Sequence, residues 1–366
     1  MRKFTITALA ALQLFLAGCW DQRLLKESRL VFGTGIDLMD NEKLYVSAVI
    51  RDFMSGAPTN TIVHTEADTL RESRMKMDRK VSGRFDPSKN RIFLLGENLA
   101  KSDLYSYLDV LYRDSNSSVS SKVAIVKGKA SEIMNMTKVQ NVLISEYLIE
   151  LIESDEKSTS IPAHSLQTIC TVMFDEGKDF GLPLLKKQLD EIVVDGMALF
   201  HKRSLAGYLN VNESTLLLLL MGEKSKSAGY VSKVSDEEKP EKNNFITYSF
   251  LKVKSKMNIA EAAPERIKAN LTMRATINVK EYPQDSLTDK KVLKELNKKI
   301  SEQLTADAKA VIQKIQEANS DMFGIGRELM AHHPDTWKKM DWEQDYQNVE
   351  IIPKVEVEIT EHGIIN

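Results

Sequence analysis

Apolar residues recur along this chain with two different periods, and each period predicts one kind of element. Between positions 266 and 282 apolar and polar residues alternate, which is the pattern of a strand with one face on a core. From position 286 to 319 apolar residues recur every three or four positions, which predicts one long helix with a single buried stripe. A coiled coil is the alternative for this helix, but Ala308 and the single copy of the pattern favour packing on the adjacent strands. The alternating residues are Leu271, Met273, Ala275, Ile277 and Val279, and the stripe comprises Val292, Leu293, Leu296, Ile300, Leu304, Ala308, Val311, Ile312 and Ile315.

In the first half of the chain short strand patterns alternate with helix patterns. Strands are predicted at 91–95 and 122–127, and helices follow them at 103–113 and 130–136. A further, charged helix is predicted at 66–81. Alternation of this kind predicts a mixed α/β domain. The residues of the charged helix expected to face the core are Leu70, Met75 and Met77.

A hairpin is predicted near the start of the folded part, with strands at 29–37 and 43–53 joined by a turn. Gly33 and Gly35 form a Gly-x-Gly pattern in the first strand. A dinucleotide site needs a helix after such glycines, and here another strand follows. The glycines are therefore interpreted as permitting a bulge or the close approach of another backbone.

The predicted fold class is α/β in the mixed α+β sense, with several mixed sheets packed with helices in a multidomain body. A chain of 366 residues is too long for one ordinary core, so two or three domains are expected. The predicted division is 1–18 signal peptide, 19–28 lipidated cysteine and membrane spacer, 29–189 N-terminal α/β domain, 190–244 middle domain, and 245–366 C-terminal α/β domain with the long helix 286–319.

The N-terminus has a basic start, Met1-Arg2-Lys3, followed by an apolar run from Phe4 to Gly18. The run has about fifteen residues, fewer than the ~20 of a membrane-spanning helix, and it fits a secretory signal peptide. It ends in Leu16-Ala-Gly-Cys19, which resembles a bacterial lipobox. Cleavage is predicted between Gly18 and Cys19, after which Cys19 would carry a diacylglyceryl group and an N-acyl lipid. The alternative is an ordinary cleaved signal whose cysteine is incidental.

The composition is ordinary for a folded protein, with 42% hydrophobic and 28% charged residues. There are 50 Lys and Arg residues and 52 acids, and removing Arg2 and Lys3 with the signal leaves 48 against 52, a net charge of −4. No basic excess points to nucleic acid, and no polybasic tract points to a second, electrostatic contact with a membrane. The lipid is therefore expected to do most of the anchoring.

The sequence lacks the short motifs of several common enzyme classes, namely the P-loop, G-x-S-x-G, H-E-x-x-H and C-x-x-C. His332 and His333 are adjacent, so on a helix their rings point apart and cannot share a metal. No carboxylate stands out by its apolar surroundings as a general acid. The chain is therefore predicted not to be an enzyme. No catalytic residue, no metal ligand and no cofactor other than the lipid on Cys19 is assigned.

Four stretches, which cover essentially the whole chain, carry a family resemblance. The most specific is Asp321-Met-Phe-Gly-Ile-Gly326, followed by Pro334-Asp-Thr-Trp337 and Asp341-Trp342. The other three are Gly18-Cys-Trp-Asp21 with Val31-Phe-Gly-Thr-Gly-Ile-Asp37, Arg91-Ile-Phe-Leu-Leu-Gly-Glu-Asn-Leu-Ala100 with Leu111-Tyr-Arg-Asp114, and Asp195-Gly-Met-Ala-Leu-Phe200 with Gly207-Tyr-Leu-Asn210. In these motifs the chain resembles the Ger(x)C lipoproteins, the C subunits of nutrient germinant receptors in spore-forming bacteria.

The resemblance implies a three-domain α/β body at the outer face of the inner spore membrane, held there by the lipid on Cys19. It also implies two partners, both multi-pass membrane subunits of a receptor, one of them similar to amino-acid transporters. The expected role is nutrient-triggered germination without catalysis. Two other hypotheses stay open: a lipid-anchored protein that binds a small nutrient for a membrane partner, and a lipid-anchored envelope enzyme.

The last motif places large aromatic residues beside glycines just after the long helix. Phe323, Trp337 and Trp342 supply the aromatic side chains, and Gly324 and Gly326 can turn the chain there. Such a cluster either locks the end of the helix onto the sheet or forms a surface for a partner. The structural lock is the preferred interpretation.

Overall fold

A computed structural model describes residues 27–52, 59–236 and 239–363, so the predicted signal peptide, the lipobox and Cys19 lie outside the described residues. The strands are β1 Ser28–Leu38, β2 Leu44–Asp52, β3 Thr59–Ala67, β4 Arg84–Asp86, β5 Ile92–Gly96, β6 Lys122–Val126, β7 Lys138–Val139, β8 Val142–Leu143, β9 Gly181–Gln188, β10 Glu191–His201, β11 Ser204–Leu209, β12 Gly229–Lys233, β13 Phe245–Ala263, β14 Arg266–Glu281 and β15 Glu350–Glu361. The helices are α1 Leu70–Asp78, α2 Glu97–Ala100, α3 Leu104–Arg113, α4 Ala130–Met134, α5 Ile144–Lys157, α6 Leu166–Met173, α7 Val211–Leu220, α8 Lys290–Glu317, α9 Ile325–His332, α10 Pro334–Trp337 and α11 Trp342–Asp345.

The larger sheet has nine strands in the order β11-β10-β9-β6-β5-β1-β2-β3, with β4 paired to the start of β1. Its centre, formed by β1, β5, β6 and β9, is parallel, and antiparallel strands continue it on both sides. Parallel strands at the centre of a sheet need apolar residues on both faces, and all five residues of β5 are buried. Helices α1, α3 and α6 cover one face, and α4 and α5 cover the other. The prediction of a mixed α/β body is confirmed.

The smaller sheet, β12-β13-β14-β15, is covered on one face by α8 and α7. The five alternating residues of β14 are buried, as predicted. Seven residues of the α8 stripe, from Leu296 to Ile315, are buried in the same core. The long helix therefore packs on the neighbouring strands and is not a coiled coil. It begins at Lys290, later than the predicted position 286, because the Asp289 side chain caps its first turn.

Helix α7 lies between the two sheets. Its residues from Ser214 to Leu220 are all buried, because β10 of the larger sheet contacts one side and α8 and β14 contact the other. The helix starts with a reciprocal cap. The Glu213 N–H donates to Asn210 Oδ1 at 3.0 Å, and the Asn210 N–H donates to Glu213 Oε2 at 3.0 Å.

Some predicted elements differ from the structure. The sequence predicts one helix over 66–81, but β3 continues to Ala67 and the helix covers only Leu70–Asp78. Met75, expected in the core, is 53% exposed. Strands β3 and β12 are not predicted because they lie at sheet edges and contain few apolar residues.

The predicted middle domain, 190–244, is divided between the two sheets. Strands β10 and β11 continue the larger sheet beside β9, while β12 joins the smaller sheet. The boundary predicted at position 189 falls in the turn between β9 and β10, which are hydrogen-bonded neighbours, so it does not separate two sheets. The limits of the domains stay a prediction. No helix in the described residues is both long and apolar enough to span a membrane.

Candidate functional site

The motif that follows α8 lies where the two sheets meet. The Asp321 N–H donates to Asp179 Oδ2 at 2.9 Å, and the Asp179 N–H donates to the Asp321 carbonyl oxygen at 3.0 Å. Asp179 lies just before β9, and its Oδ1 accepts a hydrogen bond from the Lys202 N–H at 2.6 Å. One carboxylate therefore ties together the start of β9, the end of β10 and the residues after α8.

The Asp321 side chain is almost completely buried and binds the start of α9. Asp321 Oδ1 accepts from the Ile325 N–H at 3.0 Å, and Oδ2 accepts from the Gly326 N–H at 2.8 Å. These bonds satisfy donors that the first turn of a helix leaves unpaired. Burial raises the pKa of Asp321 to about 7, although the N–H groups of Gly326 and Ile325 act to lower it, and the neighbouring Asp179 contributes to the rise.

Gly324 and Gly326 are required by the geometry of the turn before α9. Gly324 has a φ of 71°, in the left-handed region that glycine adopts without strain. A Cβ on Gly326 would lie 2.7 Å from Trp342 Nε1 and 2.8 Å from Gly177 Cα. Because a real Cβ does not approach other atoms so closely, no side chain fits at position 326 without a shift of its neighbours.

Trp337 and Trp342 form a row of aromatic rings with Tyr346. The ring centroids of Trp337 and Trp342 are 5.6 Å apart, and those of Trp342 and Tyr346 are also 5.6 Å apart. Both tryptophans are half-buried against a small apolar cluster that contains Ile325. Phe323 packs against this cluster and against the core of the smaller sheet. The aromatic residues of the motif therefore pack under the turn that carries its glycines.

Two further hydrogen bonds stabilise the junction, and the second of them joins the two sheets. The hydroxyl of the buried Tyr346 donates to the Ser320 carbonyl oxygen at 3.0 Å, and Ser320 Oγ donates to the Phe200 carbonyl oxygen of β10 at 2.6 Å. Burial raises the pKa of Tyr346 well above its usual value. These contacts are those expected of a structural lock. A partner surface at Trp337 and Trp342 stays a prediction.

A cleft of about 250 Å³ opens beside the lock. In it, His201 Nδ1 lies 3.4 Å from Asp179 Oδ2. Two buried atoms of the lining, Trp342 Nε1 and Asn319 Oδ1, have no hydrogen-bond partner among the described residues. An aromatic wall and an excess of carboxylates suit a small polar or cationic molecule. The acids of the lining are Asp175, Glu176, Asp179, Asp321, Asp341 and Glu343, and its lysines are Lys178 and Lys202.

Much of the polar chemistry in this cleft is already used by the chain itself. Asp179 and Asp321 bind backbone N–H groups through both carboxylate oxygens, and Lys202 Nζ lies 2.7 Å from Glu343 Oε1. In the part of the chain that the structure describes, no three His, Cys, Asp or Glu side chains are grouped so that they could hold a metal ion. The arrangement can hold two parts of the fold together and offer a small polar cleft.

A second buried aspartate, which sequence reasoning missed, lies in the first motif. Asp37 Oδ1 accepts from the Ala130 N–H at 2.6 Å, and Oδ2 accepts from the Ser131 N–H at 2.9 Å. Asp37 therefore caps α4 across the sheet. The sequence signal that could have identified Asp37 is an aspartate at the end of a buried strand. Sequence reasoning also missed Asp179, which has no comparable local signal.

The glycines of the first motif have the role that the sequence predicts. The pairing of β1 with β2 shifts between Val31 and Gly33, which marks a bulge. A Cβ on Gly35 would lie 2.6 Å from Met134 Cγ on α4. The predicted bulge is confirmed. The predicted close approach is real, but the approaching group is a helix side chain rather than a backbone.

Comparison with known families covers both halves of the chain. Residues 21–187 match the family described as spore germination protein N-terminal domain, and residues 195–363 match the family described as spore germination B3/GerAC like, C-terminal. The chain belongs to the Ger(x)C family. The family resemblance drawn from the four motifs is confirmed.

Curated relatives of this Ger(x)C chain match it over nearly their full length. Spore germination protein GerQC of Bacillus cereus is 21% identical over 96% of this chain and 97% of that protein. Spore germination protein KC of Bacillus subtilis (strain 168) is 23% identical over 100% of this chain and 97% of its own length. The crystal structure of the GerBC protein is similar with a TM-score of 0.56 and 18% identity, covering 91% of this chain and 99% of that one. At this identity the GerBC likeness shows the fold alone.

Proposed function

We propose that this Ger(x)C chain is a lipid-anchored, non-catalytic subunit of a membrane germinant receptor and that it takes part in nutrient-triggered spore germination. The observation that carries the proposal is that family matches span residues 21–187 and 195–363, and that full-length relatives are named spore germination proteins. The lipobox supports a diacylglyceryl and N-acyl lipid on Cys19. In this proposal the body stands at the outer face of the inner spore membrane.

The geometry of the junction supports a role in assembly rather than catalysis. The buried carboxylates of Asp179 and Asp321 are occupied by backbone N–H groups, and Ser320 Oγ is occupied by a backbone carbonyl. A catalytic nucleophile or base needs a free site beside the reacting atom. The proposed partners are two multi-pass membrane subunits, one similar to amino-acid transporters. The contact with the lipid bilayer is through Cys19.

The test is purification of the tagged chain from spore membranes in mild detergent, with its partners identified by mass spectrometry. We expect the wild type to bring down two multi-pass membrane proteins. Cys170→Ala, which changes the other cysteine, is the control and should bring down the same two. Cys19→Ala shows whether the lipid or the protein surface makes the contact. A wild-type chain that is membrane-bound but purifies alone would contradict the receptor-subunit proposal.

A second candidate function is the binding of a small nutrient, which the cleft beside the lock favours. The cleft combines tryptophan rings with carboxylates and two unpaired buried polar atoms, and such a lining recognises small polar molecules. Calorimetry of the detergent-solubilised chain against amino acids and sugars tests this. Binding that is lost in Glu343→Gln and kept in Val231→Ala, an exposed position of β12 outside the lining, would support it. The absence of heat with every amino acid and sugar would count against it.

A further inference from the structure

The start of the described chain lies beside β4. Strand β1 pairs with β4 in parallel, with Ser28 opposite Arg84 and Arg29 opposite Phe85. Nine residue steps separate Cys19 from Ser28, and an extended chain spans about 3.3–3.6 Å per residue. If Cys19 carries the lipid, the surface around β4 lies within roughly 30 Å of the bilayer.

Basic residues are concentrated in the segment that contains α1 and β4. Residues 70–89 contain seven lysines and arginines against three acids, an excess of four positive charges in a chain whose net charge is −2. The basic residues are spaced along the segment, so they do not form a continuous tract in the sequence. The seven are Arg71, Arg74, Lys76, Arg79, Lys80, Arg84 and Lys89, and the three acids are Glu72, Asp78 and Asp86.

Four of these basic side chains are engaged within the fold. Lys76 Nζ lies 2.8 Å from Glu72 Oε1, and Lys80 Nζ donates to the His64 carbonyl oxygen at 2.8 Å. Arg74 is largely buried and its guanidinium lies 2.6 Å from Asp114 Oδ2, which Arg71 also contacts at 2.9 Å. Arg71 remains 63% exposed despite this contact. Arg79 and Arg84 are exposed, and neither has an ion pair or hydrogen bond within the described ranges. Their charge is therefore available to a partner outside the chain.

The acids of the segment do not pair with these two arginines. Asp78 Oδ1 accepts from the Phe85 N–H at 2.8 Å, and Asp86 Oδ1 accepts from the Ser88 N–H at 2.9 Å. Glu72 lies 2.8 Å from the ammonium of Lys76. These contacts fix the end of α1 against β4.

A cleft of about 190 Å³ between α1 and β4 brings the basic side chains together with an exposed apolar one. Arg71, Arg74 and Arg84 line it together with Met75, which is 53% exposed. The carboxylates of Asp78, Asp86 and Asp114 also line it, and each is already bound within the fold. Guanidinium groups bind phosphate oxygens through paired N–H donors. An exposed apolar side chain beside basic residues is typical of surfaces that rest on a lipid interface.

We propose that Arg71, Met75, Arg79 and Arg84, here called the basic surface, rest on the membrane and hold the body in one orientation there. The three arginines bind the headgroups of anionic phospholipids, and Met75 contacts the apolar side of the lipid interface. The proposal rests on the proposed lipid anchor at Cys19, which keeps the basic surface near the bilayer. The lipid supplies the attachment, and the basic surface sets which side of the body faces the bilayer. The basic surface adds an electrostatic contact with the membrane that the sequence alone did not predict.

The experiment uses the full, lipidated chain with Cys170→Ser and a nitroxide label on Met75→Cys. The chain is reconstituted into vesicles of phosphatidylglycerol with phosphatidylcholine, or of phosphatidylcholine alone. The accessibility of the label to a water-soluble nickel complex is then measured. A label on Val231→Cys, exposed on the smaller sheet, is the reference. We expect the Met75 label to be protected only in the vesicles that contain phosphatidylglycerol, and the Val231 label to be accessible in both.

Charge variants separate the basic surface from a general effect of net charge. Each basic side chain near an anionic surface strengthens attraction about fivefold, so Arg79→Gln with Arg84→Gln should lower the docking equilibrium about 25-fold and expose the Met75 label. Lys252→Gln with Lys254→Gln removes two exposed charges from β13 and should leave the protection unchanged. If the chain binds both kinds of vesicle in a flotation assay and its Met75 label is equally accessible in each, the proposal of the basic surface is overturned and that of the lipid anchor is not. If the chain binds neither kind of vesicle in that assay, the proposal of the lipid anchor is overturned as well.

Discussion

At position 326 the fold leaves no room for even one methyl group. We expect Gly326→Ala to lower the free energy of unfolding by about 1–3 kcal/mol, since the new Cβ must displace the Trp342 ring or the backbone of Gly177. Urea unfolding followed by circular dichroism measures the change. Gly229→Ala is the matched control because no atom lies within 4 Å of its added Cβ, and it should change stability by less than about 0.5 kcal/mol. Equal losses in the two variants would contradict the close-contact explanation.

Asp321 should make the stability of the fold depend on pH. Its pKa is about 7 in the folded chain against an ordinary value of 3.8, so between about pH 4 and pH 7 the folded state binds more protons than the unfolded state. Stability from this group therefore falls as the pH rises through that window, by at most about 4 kcal/mol. We expect the urea midpoint of the wild type to be higher at pH 5 than at pH 8, and Asp321→Asn to reduce the difference.

The Asp321→Asn variant should also be less stable than the wild type at both pH values. Asparagine has an NH2 group in place of one carboxylate oxygen. Its amide oxygen can accept from one of the N–H groups of Ile325 and Gly326, but the other N–H then faces the NH2 group. The loss of that acceptor costs about 1–3 kcal/mol. Asp195→Asn is the control, because its carboxylate lies on the surface 3.4 Å from Lys127 Nζ. It should keep the pH difference of the wild type. An Asp321→Asn variant that keeps the whole difference would assign the pH dependence to another group.

For individual residues, the sequence predicts which residue types matter better than it predicts which residues are in contact. Phe323, Trp337 and Trp342 stand out because large aromatic side chains beside glycines need a packed environment. Asp179 does not stand out, and although Asp321 begins the last motif, nothing in the sequence pairs it with a residue 142 positions away. Their contact depends on how two sheets pack against each other. Local periodicity carries no information about that packing.

Among the elements, α8 protects the open edge of the smaller sheet. Strand β15 pairs with β14 on one side only, and an unpaired edge can template association with another chain. Side chains at one face of α8 accept hydrogen bonds from that edge at every fourth position. The bonds run from the N–H groups of Val355, Val357 and Ile359 to Thr305 Oγ1, Ser301 Oγ and Asn297 Oδ1, at 3.1, 2.9 and 2.9 Å.

Removing these acceptors should weaken the fold and open the edge. We expect Asn297→Ala with Ser301→Ala to lower the free energy of unfolding by about 1 kcal/mol per lost bond and to increase self-association. Urea unfolding and sedimentation velocity measure the two effects. Lys298→Ala with Glu302→Ala, at exposed positions of the same helix, keeps the edge covered and should change neither. If both pairs of variants behave alike, the helix stabilises the sheet through packing alone.

Elements with a strong period are predicted well, and those at the edges are not. The stripe of α8 and the alternation of β14 are visible because each element presents one apolar face to a shared core. Strand β3 runs from Thr59 to Ala67 through several polar residues, since as the last strand of the larger sheet it is only partly covered. Strand β9 contains Gly181 and Pro183, which mimic a loop, although five of its residues are buried in the sheet.

For the whole molecule, the junction makes the two sheets depend on each other. On the side of the larger sheet, Asp179 is hydrogen-bonded to Asp321 and Phe200 to Ser320, and both partners lie on the side of the smaller sheet. Ser320 is also hydrogen-bonded to Tyr346. Helix α7 adds an apolar layer between the sheets. A substitution that weakens this junction should therefore lower the stability of both sheets and of any complex that needs both.

Trp337 tests the two interpretations of the aromatic cluster. We expect Trp337→Ala to lower the free energy of unfolding by about 2 kcal/mol, less than the ~3–5 kcal/mol of a fully buried aromatic residue, because the ring is half-buried against Trp342. Thermal unfolding measures the loss. Phe174→Ala is the control, because this aromatic residue is 57% exposed and makes one edge-on ring contact, with Tyr105 at 4.8 Å. It should lower stability by less than about 1 kcal/mol.

The same variant, purified from spore membranes, separates a lock from a partner surface. Thr336 Oγ1 donates to the Ala262 carbonyl oxygen at 2.7 Å, so α10 is already fixed to β13 next to Trp337. If Trp337 acts as a lock, partners should be lost only in proportion to the unfolded fraction, and lowering the temperature should restore them. If it contacts a partner, a fully folded Trp337→Ala chain should still purify alone. The packing of Trp337 on Trp342 leads us to expect the first result.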